Sequence, residues 1–307
     1  MFTHLKRNCT LYLLSFLLIC ILLQPNLSMY FASKGLEIWF ERMIPALLPF
    51  MILSDLFVRL NLASRFSKWI YIMQKPFLNL SENGCFSFFM GFLCGFPMGA
   101  KTVADQYERN MISRQEACFL LSFCNNIGPV YFCSFALQVM HLKISFKYLF
   151  GLYGLAFLYG CLLRHTLYSN IDFPSATSDN SLPALDSDLL SCLLGELDMA
   201  VGQSANQMLK LLGYMVLFNL LNLLPYLLTK RPCIYLAALF EISGGLAIIK
   251  NRFPMYTLSC ITFGGFCCLA QTYSCIKHLS IRNFMKNYIV HKVILSILTF
   301  AYYCFFF

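Results

Sequence analysis

Apolar runs long enough to cross a bilayer alternate along the chain with short polar connectors. The first run, residues 9–23, follows Lys6 and Arg7 and stops at Gln24-Pro25-Asn26. A basic start and a short apolar core predict an uncleaved membrane anchor with its N-terminus on the cytoplasmic side. The segment 33–42, SKGLEIWFER, is amphipathic and predicts an interfacial helix. It leads into a span at 43–60 that contains Pro45, Pro49 and Asp55. The connector after it carries Arg65, Lys68 and Lys75, which places it on the cytoplasmic side. Further spans are predicted at 146–168, 206–228, 233–249, 257–276 and 288–307. A basic ladder of Lys277, Arg282, Lys286 and Lys292 marks the connector between the last two.

Two apolar runs do not read as plain spans. In 85–104, Gly91, Gly95 and Gly99 recur every fourth residue, with Pro97 among them and Lys101 at the end. That spacing puts the glycines on one helix face, and Pro97 opens the turn before it. In 117–140, Asn125-Asn126 and Gly128-Pro129 fall near the middle. Between the two runs Ser113 and Glu116 have the form of a helix-capping box. Open backbone and amide groups at membrane depth are tolerated only where protein or a water-filled cavity surrounds them. The stretch 91–129 therefore predicts a polar site inside the membrane.

A weaker counterpart follows in the second half. Phe240-Glu241-Ile242-Ser243-Gly244-Gly245 places a carboxylate in an apolar run, and Phe263-Gly264-Gly265 precedes Gln271. Paired interrupted spans at matching places in two halves point to a transporter's midplane site. The chain divides on this basis into an anchor (1–33), a first repeat (34–168), a polar linker (169–200) and a second repeat (201–307). The linker is rich in Ser, Asp and Pro, and Asp172, Asp179, Asp186 and Asp188 read as a solvated surface. The fold class is an all-α polytopic membrane protein with about eight or nine membrane segments.

Composition agrees: 59% of residues are hydrophobic, 12% are charged and 31 are Phe. The net charge of +9 is spread over short connectors, which suits an anionic leaflet and gives no nucleic-acid face. The 15 cysteines form no Cys-x-x-Cys pair and read as small buried apolar residues, so no metal site is expected. No nucleophile–base constellation, nucleotide fingerprint or Gly-x-Ser-x-Gly elbow is present. Neither an enzyme nor a cofactor is expected.

The stretch GFLCGFPMGAKTVADQYERNMISRQEACFLLSFCNNIGP resembles the nucleoside-recognition, or Gate, domain motif in the form found in YlbJ-like sporulation integral membrane proteins, also called stage V sporulation protein SpoVV. The features that carry the likeness are Gly95-Phe96-Pro97 with Gly99-Ala100-Lys101, Asn125-Asn126 with Gly128-Pro129, and the second-half pair at 240–245 and 263–271. Phe96 stands where the motif commonly has Tyr. The resemblance implies two Gate-like repeats in a membrane protein of a spore-forming bacterium, placed in the outer forespore membrane. It also implies a role in moving dipicolinic acid, a small aromatic dianion. Nucleoside transport on the same fold, or a non-transporting scaffold for the spore envelope, are the alternatives.

An anion site needs positive charge, donors and a flat apolar slot. Lys101 supplies a charge unless it only snorkels at the span's end. Asn125 and Asn126 supply amide donors unless they bond between helices. Gly95, Gly99, Gly128, Gly244 and Gly264 let backbone approach a ligand, and Pro97, Ser243 and Gln271 complete the expected site. Glu241 is a candidate for binding a coupling proton or sodium ion, or for an ion pair with a residue such as Lys210. The partners expected are the lipid bilayer, a small anion and a second copy of the chain.

Overall fold

A computed structural model describes residues 2–60, 62–173, 189–279 and 283–306. Residues 174–188 of the expected linker, with Asp179, Asp186 and Asp188, and Arg282 of the basic ladder lie outside the described residues. All regular elements among the described residues are helical.

α1 (Phe2–Leu23) and α2 (Pro25–Ile38) are separated by the single residue Gln24 and meet at 109°. Pro25 opens α2 at a position whose N–H would have no helical partner in any case. α2 continues through a wider turn at Trp39–Met43 into α3 (Ile44–Arg59). Residues 33–42 are thus part of one long helical run and not a separate interfacial helix. The reason lies in the contacts. Gly35 lets α2 approach the backbone of α10 (Leu189–Leu220) at Met215, and the Trp39 indole donates to the Met208 carbonyl at 2.9 Å. α4 (Ala63–Gln74) follows α3.

α5 (Glu82–Leu93) and α6 (Met98–Glu108) form a hairpin. A Cβ added at Gly99 would lie 3.0 Å from the Cα of Gly91, eight residues earlier. In a continuous helix those residues would be about 12 Å apart. The chain turns at Cys94–Pro97, where Gly95 has φ +83° and the Phe96–Pro97 bond is cis. α7 (Arg114–Phe123) and α8 (Pro129–Val139) are interrupted over 124–128. α9 (Phe146–His165) runs on without an interruption of that kind.

After α10 comes the short α11 (Leu223–Thr229). α12 (Ile234–Phe240) and α13 (Ile242–Ile249) form a second hairpin that turns at Glu241, and a Cβ at Gly245 would collide with Ala238. The expected span at 233–249 is therefore two arms of seven and eight residues, each too short to cross a bilayer. α14 (Pro254–Phe263) and α15 (Gly265–Ile276) meet at Gly264, which has φ +94°. α16 (Phe284–Cys304) closes the described chain.

Among the described residues three stretches, 146–165, 191–229 and 254–276, are long and apolar enough to cross a membrane, and the bent pair 14–59 makes a fourth. Leu11, Leu14, Trp69, Met73, Leu209 and Ile297 all point outward. An exposed apolar surface of this kind belongs against lipid. Lipid gives no hydrophobic drive between helices, so close backbone packing and interhelical hydrogen bonds hold them together. The glycines and the buried polar groups serve those two roles here.

A cavity where four helix interruptions meet

The four interruptions lie around one partly open cavity of about 50 Å³. The first hairpin tip contributes Cys94 and Phe96, and the second contributes Glu241, Ile242 and Ser243. Ile127, Gly128 and Tyr131 come from the α7/α8 interruption, and Cys268 and Gln271 from the first two turns of α15. Met43 of the wider turn, Leu47 of α3, and Leu211 and Met215 of α10 supply the apolar wall. The space holds a few waters. A larger solute requires the cavity to open.

Glu241 caps α13. Its carboxylate accepts from Ser243 N at 3.0 Å, Gly244 N at 2.6 Å and the Asn219 amide at 3.0 Å. Its partners are therefore a helix N-terminus and an α10 amide. Lys210 lies elsewhere, in a polar vestibule. Ser243 accepts a hydrogen bond from the Tyr131 hydroxyl at 2.7 Å, which joins the second hairpin to α8.

Asn125 and Asn126 tie the two halves together. The Asn125 amide donates to Tyr288 at 2.9 Å and Thr272 at 3.1 Å, and its oxygen accepts from Ala100 N at 3.3 Å. Asn126 donates to the Phe123 carbonyl at 2.8 Å and accepts from Lys292 Nζ at 3.1 Å. Lys292 also reaches the Thr262 carbonyl at 3.3 Å and lies 4.6 Å from the centre of the Phe96 ring. That ring in turn seats against Gly264, where a Cβ would lie 2.9 Å from it.

Of the residues expected at the site, Gly128, Glu241, Ser243 and Gln271 line the cavity. Gly95 and Gly99 pack against the 125–128 segment, and Gly244 packs beneath Asn219. Their missing side chains let protein approach protein. Lys101 lies apart, bonded to Asp105 at 2.6 Å and to Asp55 at 3.4 Å. Asp55 also pairs with Arg59 at 2.8 Å, and Arg59 reaches Glu196 of α10 at 3.4 Å. This network borders a polar vestibule of about 660 Å³, whose wall includes Lys210 and Ser274 next to cavity-lining stretches of α10 and α15. A second vestibule of about 430 Å³ lies at the other end of α3, between Glu37, Arg42, His141 and Lys250.

The Ser113 hydroxyl accepts from Glu116 N at 3.1 Å, as a capping box requires. The Glu116 carboxylate does not return to Ser113. It accepts from the Ser81 N–H at 2.8 Å and the Ser81 hydroxyl at 2.9 Å, which fixes the start of α5.

Sequence reasoning placed Lys292 in an exposed basic ladder, whereas the structure buries it eight residues into α16. The signal that finds it is the helical stripe Tyr288, Lys292, Leu295, Thr299 and Tyr303, all of them buried. Tyr131 and Cys268 were also missed, because nothing in their local sequence distinguishes them from neighbouring apolar residues.

Exposed apolar helices around an interior of paired polar groups define a helical integral membrane protein. The chain is similar to the sporulation integral membrane protein YlbJ of Bacillus subtilis (strain 168), with 33% identity over 131 residues. The match covers 42% of this chain and 32% of that protein, so it spans about a third of the relative's length. No protein-family profile matches the chain, and no solved structure matches it.

Proposed function

We propose that this chain is a membrane transporter that carries a small organic anion through this cavity, with dipicolinate as the candidate substrate. The observation that carries the reading is the meeting of two hairpin tips and two helix interruptions around a single cavity. Open helix ends are expensive in a membrane interior unless they serve a polar solute or each other. A polar vestibule also reaches α10 and α15 beside the cavity, with Lys210 next to the cavity-lining Leu211, which supports a path for a solute.

The order of elements supports two Gate-like repeats. A long helix, a short helix, a hairpin, an interrupted pair and a closing helix run from α3 to α9, and the same series runs from α10 to α16. Similarity to a sporulation integral membrane protein supports a role in sporulation, in a membrane around the forespore. Glu241, Ser243 and Gln271 in the lining favour a second reading, a neutral hydroxylated solute such as a nucleoside.

Reconstituted protein is expected to concentrate labelled dipicolinate in liposomes. Leu211→Trp, which fills the cavity from α10, is expected to abolish that uptake. Uptake of uridine without dipicolinate would move the assignment to nucleosides. Uptake of neither would leave a scaffold.

A further inference from the structure

Two lysines are buried among the described residues, and they differ in their partners. Lys101 is matched by Asp55 and Asp105. Lys292 has no carboxylate within 4 Å among the described residues. Its contacts are the Asn126 oxygen, the Thr262 carbonyl and the face of Phe96. A cation taken out of water and held only by neutral groups is costly unless it gains a counter-charge.

Phe96 occupies both environments. It lines the cavity, and its ring covers the Lys292 ammonium at 4.6 Å. The ring is the partition between the two. Glu241, the one carboxylate lining the cavity among the described residues, has its oxygens engaged by three N–H donors. Among the described residues Lys292 is therefore the buried basic group beside the cavity that has no acidic partner.

We propose that Lys292 is the specificity-determining residue of the cavity, and that it selects small aromatic carboxylates by exchanging the Phe96 ring for the ligand. The ligand's carboxylate supplies the missing counter-charge, and its flat ring occupies the space that Phe96 vacates. Asn126 holds the ammonium in place during the exchange. The assignment rests on the transport reading and adds to it the group that recognises the substrate.

The test compares dipicolinate with its neutral isostere pyridine-2,6-dicarboxamide, by equilibrium binding to purified full-length protein and by uptake into liposomes. Wild type is expected to bind the diacid at least tenfold more tightly than the diamide. Lys292→Gln should remove most of that preference, and Lys292→Arg should keep it, with both variants eluting as wild type on size exclusion. Phe96→Leu retains the charge and opens the partition, so dipicolinate should bind it at least threefold faster. Uptake of dipicolinate with an unchanged preference in Lys292→Gln would overturn the Lys292 assignment and leave transport standing. Equal affinity of wild type for diacid and diamide would do the same. If Lys292→Gln does not fold, an unchanged association rate in Phe96→Leu overturns the proposal. Failure of wild type to bind or move any probe would remove both readings.

Discussion

The Asn219 amide donates to the Glu241 carboxylate at 3.0 Å, and the Asn219 oxygen leaves no room for a side chain at Gly244. One α10 residue thus fastens the second hairpin tip and sets how closely α13 approaches. Glu241→Gln replaces two acceptor oxygens with one oxygen and a donor, so at least one buried N–H loses its partner. A buried unpaired donor costs about 1–3 kcal/mol. Thermal unfolding in detergent should show a loss of that order. A Gln variant as stable as wild type would mean that the carboxylate does not hold the tip.

Glycines at helix contacts and glycines facing open space should respond with opposite signs. A Cβ at Gly91 would collide with the Cys124 carbonyl, and Gly95 combines φ +83° with a similar collision at Gly128. Gly213 of α10 has nothing within 4 Å of a Cβ. Gly91→Ala and Gly95→Ala should lower the folded yield sharply, with Gly95→Ala the worse. Gly213→Ala should stabilise by about 0.5–1 kcal/mol through lost backbone entropy alone. Equal effects at the three sites would contradict the packing described here.

The positions of the helix breaks were legible because Gly, Pro and Asn act locally. Gly95–Pro97, Asn125–Pro129, Glu241 and Gly264 all fall where the sequence interrupts an apolar run. The angle at each break was not legible. Whether the chain folds back, as at Glu241, or runs on, as at Gly264, is set by distant contacts such as Gly245 against Ala238. Partners of buried charges were hidden for the same reason. Glu116 and Ser81 are 35 residues apart, and Lys292 and Asn126 are 166 apart.

Lys101 should matter for stability more than its place at a helix end suggests. Its side chain is 7% exposed and that of Asp55 is 3% exposed, so Lys101→Met leaves Asp105 without its partner and buried Asp55 with Arg59 alone. Removing one partner of a buried pair costs about 3–5 kcal/mol. Asp105→Asn leaves Lys101 with Asp55 and should cost less. The double variant Asp55→Asn/Lys101→Met should lose less than the sum of its single changes, because the two side chains share one network. Strict additivity in unfolding measurements would show that the pair is not coupled.

Two cavity-lining thiols give a direct report on opening and occupancy. Cys94 comes from the first hairpin tip and Cys268 from α15, so they view the cavity from opposite halves. Cys94 is buried and Cys268 half-buried, whereas Cys192 is exposed on α10. A membrane-permeant maleimide should therefore modify Cys192 rapidly, Cys268 more slowly, and Cys94 only as the cavity opens. Modification of each thiol can be followed by mass spectrometry of the reconstituted protein. Saturating dipicolinate should slow the reaction at Cys94 and Cys268 severalfold and leave Cys192 unchanged. Protection of all three would indicate a global change in the protein rather than occupancy. Protection at neither cavity thiol, under conditions where uptake proceeds, would place the substrate path somewhere other than the meeting point of the four interruptions.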